Sequence, residues 1–133
     1  MELRKLLEGA ALERLIDAPN PQKHQELAEA VAHQRSAFAA EDFAAYQKWH
    51  FEFHNGIVDV LENPVISMIY RQMLMLIRAP MERTGSHPEV MARAIEDHAQ
   101  MVDGLQRGAL ADLRLVLDRH LANFITDLTT YSA

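Results

Sequence analysis

Two Asn-Pro pairs, Asn20-Pro21 and Asn63-Pro64, each open a long stretch in which apolar residues recur at a period near 3.6. Asparagine caps a helix and proline is tolerated in its first turn, so each pair marks a helix start. The same period runs through nearly all of the chain between five glycines and five prolines, and no useful length alternates as a strand does. The fold class is therefore all-α. Predicted helices cover about Glu2 to Ile16, Pro21 to Ala40, Phe43 to Leu61 (capped by Asp42), Pro64 to Ala79, Pro88 to Arg107 and Leu110 to Thr130, the last two joined at Gly108. The fourth is apolar almost all round and is expected to be central and buried, with Pro80 kinking or ending it and "RTGSHPE" forming a loop. Short connections make neighbours roughly antiparallel, which gives one bundle of about six helices.

At 133 residues and 49% hydrophobic, the chain suits a single domain over residues 1–133, without repeats or interdomain linkers. The absence of cysteine excludes disulfides and thiolate metal sites, leaving His, Asp and Glu as the available ligands. The apolar runs "PVISMIY" and "MLMLI" fall far short of the ~18 residues of a membrane span, and "MELRKLLEG" is no signal peptide. A cytoplasmic protein without a membrane partner is expected. A formal charge of -6, with no local Lys/Arg cluster, argues against a nucleic-acid surface on this chain itself.

In the third helix, "KWHFEFHNGIV" sets His50 within an apolar arc and His54 at its edge. On the fifth helix His98 sits among Met91, Ala94, Ile95, Met101, Val102 and Leu105, and on the sixth His120 sits among Leu113, Val116, Leu117 and Phe124. A single inward histidine is ordinarily a core residue bonded to backbone or water. Four from three helices point instead to a shared divalent ion, for which neutral imidazole suits zinc, nickel, copper or iron. His33 and His87 are expected in solvent, and His24 at the periphery. "HFEFH" is not the metalloprotease motif, because Phe51 stands where the glutamate belongs. With no nucleophile motif and no Gly-rich phosphate loop, no catalytic residue is assigned, and sensing is favoured over catalysis. On the fourth helix Ser67, Arg71 and Arg78 share one stripe. Either that stripe faces water, or Arg78 turns inward to present a guanidinium to a carboxylate. Asp97 and Asp127 are ordinary surface carboxylates or hydrogen-bond partners of the histidines.

The segments "ELRKLLEGAALERL", "FHNGIVDVLENPVI", "RAIEDHAQMVDGLQRGAL" and "LRLVLDRHL" follow one another in the order and spacing of the FCD domain, which the chain resembles over almost its whole length. This is the effector-binding C-terminal domain of FadR-type GntR transcription regulators. The resemblance implies a helical bundle around a divalent metal, zinc or nickel most often, with a pocket for a small organic acid. It matches His54, His98 and His120 to the metal histidines and Arg78 to an arginine commonly near the effector; Arg71, on the same stripe, is a second candidate for effector binding. His50 stands where the family usually has an aspartate, which makes it a candidate fourth ligand and leaves the site about one charge more positive. The winged helix-turn-helix head that normally precedes the domain is missing, so DNA would be bound only through a head outside this chain. The expected partners are a small carboxylate effector and a second copy in a homodimer. The alternative is a small metal-dependent enzyme, of hydrolase or lyase type, on the same bundle.

Overall fold

The computed structural model describes residues 2–131, without the side chain of Tyr131. Six α-helices account for them: α1 (Glu2–Asp17), α2 (Pro21–Ala39), α3 (Phe43–Asp59), α4 (Pro64–Gly85), α5 (Pro88–Arg107) and α6 (Leu110–Tyr131). Asn20 Oδ1 accepts from the Lys23 N–H, Asp42 Oδ1 from the Ala45 N–H, and Asn63 Oδ1 from those of Val65 and Ile66, so each cap satisfies donors that the first turn would otherwise leave unpaired. Pro21 and Pro64 follow their caps directly. Gly108 ends α5 at φ 68°, and the next amide, Ala109 N–H, returns to Gly104 O. The equivalent left-handed positions after α2 and α3 fall on Glu41 (φ 56°) and Glu62 (φ 51°), where a side chain costs on the order of 1 kcal/mol that glycine avoids.

The fourth helix departs from expectation twice. It runs through Pro80 to Gly85 instead of ending near Ala79, and part of the predicted loop is helix. Pro80 removes one backbone hydrogen bond, but Met81 and Thr84 beyond it are buried against the bundle, and the Thr84 hydroxyl donates to Pro80 O at 3.1 Å. Nor is α4 central. It buries Tyr70, Leu74, Met81 and Thr84 on one side, while Val65, Met68, Ile69, Met75 and Leu76 face solvent on the other. Apolar composition records how much surface would gain from burial and says nothing of how many neighbours supply it.

The central helix is α5, buried on one face from Val90 to Leu105. It lies between α2 and α6; α2 also pairs with α3, and α1 lies along α6 and α3. The α5–α6 approach is close enough that a Cβ at Gly104 would stand 3.0 Å from Leu113 Cγ. This packing turns the histidine-bearing faces of α3, α5 and α6 toward one point, with α1 closing the side they leave open.

Candidate metal centre

The Nε2 atoms of His54, His98 and His120 form a triangle with edges of 3.2, 3.4 and 3.4 Å. Donors about 2.0–2.1 Å from a tetrahedral ion stand about 3.3–3.4 Å apart, so the spacing is that of one face of such a polyhedron. His54 and His98 are fully buried and His120 nearly so. Each helix contributes its ring for a sequence reason: His98 and His120 interrupt apolar stripes, and His54 follows Phe53 on the face that α3 turns inward.

Behind each ring stands an acceptor for its other nitrogen. His54 Nδ1–H donates to Glu8 Oε1 at 2.6 Å, His98 Nδ1–H to Gln34 Oε1 at 2.7 Å, and His120 Nδ1–H to Asp97 Oδ2 at 3.0 Å. Glu8 and Asp97 accept as carboxylates, which fixes the proton on Nδ1 and leaves the Nε2 lone pair directed at the centre. Burial works to raise the Glu8 carboxyl, yet Arg4 and His54 outweigh it and hold it at about 2. Asp97 is treated the same way: burial raises it, and His120 and Arg119 bring it below the usual carboxylate range. Burial pushes His54 down to about 4 against the pull of Glu8, and pushes His50 and His98 well below the ordinary imidazole value. These three rings are therefore neutral at pH 7, the form that binds metal.

Three lone pairs aimed at one another across 3.2–3.4 Å repel unless a cation or a shared proton lies among them. The donor set, its fixed tautomers and its spacing fit a divalent borderline ion such as zinc or nickel. His50, one turn before His54, brings a ring nitrogen within 4.8 Å of donor atoms of His54 and His98. Its Nδ1 is buried without a hydrogen-bond partner among the described residues.

A small cleft, with a cavity volume of about 50 Å³, opens beside this group, with His50, His120, Arg4, Asn123 and Phe124 among its walls. Arg4 is 1% exposed; its Nε donates to Glu8 Oε2 at 3.0 Å, and one terminal nitrogen lies 3.3 Å from His54 Nδ1. The Tyr70 hydroxyl lies beside the Arg4–Glu8 pair, and burial drives it well above the ordinary phenol range. Arg93, paired with Asp127, stands in the wall nearer solvent.

The structure thus brings His50, His54, His98 and His120 together and leaves Arg71 and Arg78 apart from them. Arg71 pairs with Asp59 and Arg78 with Glu82 on the outer face of α3 and α4, where Arg78 also lies over the Phe51 ring. His33 is exposed and stacks on Trp49. Asp97 serves His120, a helix away, rather than its neighbour His98. Arg4, Glu8 and Gln34 are additions that the sequence reading did not single out. Their signal was positional: Arg4, Glu8, Ala11, Leu12 and Leu15 form one helical stripe, as do Leu27, Ala30, Val31, Gln34 and Ala37.

Among curated proteins, no sequence matches this chain. Among solved structures, the chain is similar to that of Lar, which is described as controlling the expression of the Listeria monocytogenes agr system and mediating virulence. The TM-score is 0.87 at 14% identity, and the match covers 97% of this chain but 61% of Lar, so it speaks for the fold alone. The family model of the FCD domain matches residues 1–123, nearly the full length and all of the histidine centre, and the chain accordingly belongs to the FCD domain family of GntR-type regulators.

Proposed function

We propose that this chain is the effector-sensing part of a transcription regulator, and that His54, His98 and His120, with His50 beside them, hold a divalent ion, zinc or nickel. The observation that carries the reading is the triangle of Nε2 atoms, each ring fixed from behind by Glu8, Gln34 or Asp97. When bound, the ion supplies a positive centre to which a small carboxylate can bind at the cleft. Arg4 offers the same anion a buried guanidinium. The anion-binding role expected of Arg78 and Arg71 passes in this reading to Arg4, since the two outer arginines do not line the cleft. Glu8 and Asp97 are engaged by histidine and arginine, so neither is free to act as a general base on water in the cleft, which favours sensing over the enzyme alternative.

An anion resting on Arg4 acts directly on α1, and through α1 on whatever that helix is joined to or packed against. Such a ligand shifts the protein between two states only by binding them unequally. DNA contact is assigned to a head outside this chain, in the cytoplasm. No helix among the described residues is long and apolar enough to cross a membrane. A second copy of the chain is assigned to the solvent-facing stripe of α4, because Val65, Met68, Ile69 and Leu76 expose apolar side chains around Gln72 on one face, of the kind that isologous dimers cover.

Elemental mass spectrometry of untagged protein purified without added metal tests the centre. Near-stoichiometric zinc or nickel in the wild type and little in His98→Ala is expected; equal content in the two would remove the site. Light scattering of wild type and Leu76→Glu tests the second copy, with a shift from dimer to monomer expected.

A further inference from the structure

Three of the four inward imidazoles are held from behind, and one is not. Glu8, Gln34 and Asp97 fix His54, His98 and His120, whereas among the described residues neither ring nitrogen of His50 has a side-chain or backbone acceptor, and its Nδ1 is buried. An imidazole whose second nitrogen is hydrogen-bonded is both oriented and made more basic toward a metal, so His50 is the weakest and most mobile donor of the set. It also sits off-centre. Its ring lies 4.9 Å from that of His54 and 5.2 Å from that of His98, but 6.4 Å from that of His120. His50 and His120 both border the cleft, but only His120 is anchored, by Asp97.

We propose, resting on the reading that the centre holds a divalent ion, that His50 is an exchangeable fourth donor that closes the centre until an anion from the cleft takes its place. One nitrogen–metal bond breaks and one oxygen–metal bond forms, and neither a proton nor an electron changes hands. Replacing a neutral ring by a carboxylate at a doubly charged ion gains Coulomb energy that a carboxylate-for-carboxylate exchange would not. Leaving costs His50 no hydrogen bond to a described protein group, and Gln47 and Asn123 in the cleft wall offer polar groups to the displaced ring. The chain thereby carries its own competitor, which sets the anion concentration at which the sensor responds.

The test uses the full chain loaded with Co²⁺, whose visible absorption reports its donors, and acetate as the anion probe. His50→Ala is expected to keep Co²⁺ affinity within about 10-fold of wild type, while His98→Ala loses about 100-fold or more. Acetate should half-saturate the spectral change in His50→Ala at a concentration about 10-fold below that in wild type. His50→Gln, which retains a polar side chain of similar reach, should behave as His50→Ala does if packing is not the cause, and circular dichroism confirms that each variant is helical. Loss of Co²⁺ from both His50 variants as deep as in His98→Ala would make His50 a permanent ligand and overturn the proposal. Identical acetate titrations of wild type and both His50 variants would place His50 outside the coordination sphere, with the same result. A wild type that binds none of Co²⁺, Zn²⁺ and Ni²⁺ would refute the metal reading itself, an outcome separate from the other two.

Discussion

Arg4–Glu8 on α1 and Arg78–Glu82 on α4 are both arginine–carboxylate pairs four residues apart, at 3.0 and 2.6 Å. By sequence spacing they are indistinguishable, and by contact distance the outer pair is the tighter. Their surroundings differ completely: the inner side chains are 1% and 0% exposed, the outer ones 62% and 39%. In water the attraction is screened and the entropy of two long side chains offsets most of it. In the interior each charge depends on the other, because neither has water to turn to. The comparison teaches that the value of an ion pair lies in what its loss would leave behind. The inner pair has a further attachment that the outer one lacks, since Glu8 continues to His54 and so to the centre.

The largest effect that could break this contrast is expected from Glu8→Ala, which strands Arg4 in the core. Urea unfolding should show a loss of about 3–5 kcal/mol. A loss under ~1 kcal/mol would mean that water reaches Arg4 after all. Acid should reveal the same interior from another side. In metal-free protein His54 titrates at about 4 when folded and near 6.5 when unfolded, so between those values the unfolded chain binds more protons. Stability is then highest above pH 6.5 and falls as pH drops toward 4, by on the order of 3 kcal/mol from His54 alone. His50 and His98 are shifted in the same direction and add to the fall. Glu8, held at about 2 against an ordinary 4.5, continues it below pH 4.5. An unfolding midpoint that stays flat from pH 7 to 4.5 would contradict a dry interior.

A smaller effect, one that sharpens the contrast, belongs to Asp97→Ala. Competition with a chelating dye should show metal affinity lower by about 10- to 100-fold, since His120 keeps its place in the chain but loses its orientation. Arg78→Ala and Arg71→Ala come last. Each should change unfolding free energy by no more than ~0.5 kcal/mol and leave metal affinity as it was. A larger cost would mean that the outer pairs are shielded from solvent by something absent from an isolated chain, such as a second copy on α4.

What the sequence disclosed follows the same division between local and tertiary causes. The caps at Asn20, Asp42 and Asn63 and the stop at Gly108 act within a few residues, and they can be read from order alone. His98 and His120 could be placed facing inward because apolar residues flank each of them along its stripe and α5 and α6 have neighbouring helices to pack against. Where the partner is missing, the same reasoning fails. The apolar face of α4 was taken for core, although Met75 and Leu76 have no neighbouring helix to cover them. Arg4 and Glu8 escaped for the opposite reason, since an i, i+4 Arg/Glu pair has the form of an ordinary surface bridge, and only the apolar residues below it on α1 mark its face as the inner one. Gln34 was hidden likewise, as one amide at the end of an apolar stripe.

The acceptor Glu8 lies on the first helix and the donor His120 on the last, so the centre is assembled from residues far apart along the chain. During synthesis the ribosome releases α1, α3 and α5 in turn, and each brings a part that cannot close alone. Until α6 emerges, His54 and His98 lack the ring of His120, and His50 on α3 is the one further imidazole near them. The triangle of rings fixed from behind is therefore complete only once the two ends of the described chain have found each other.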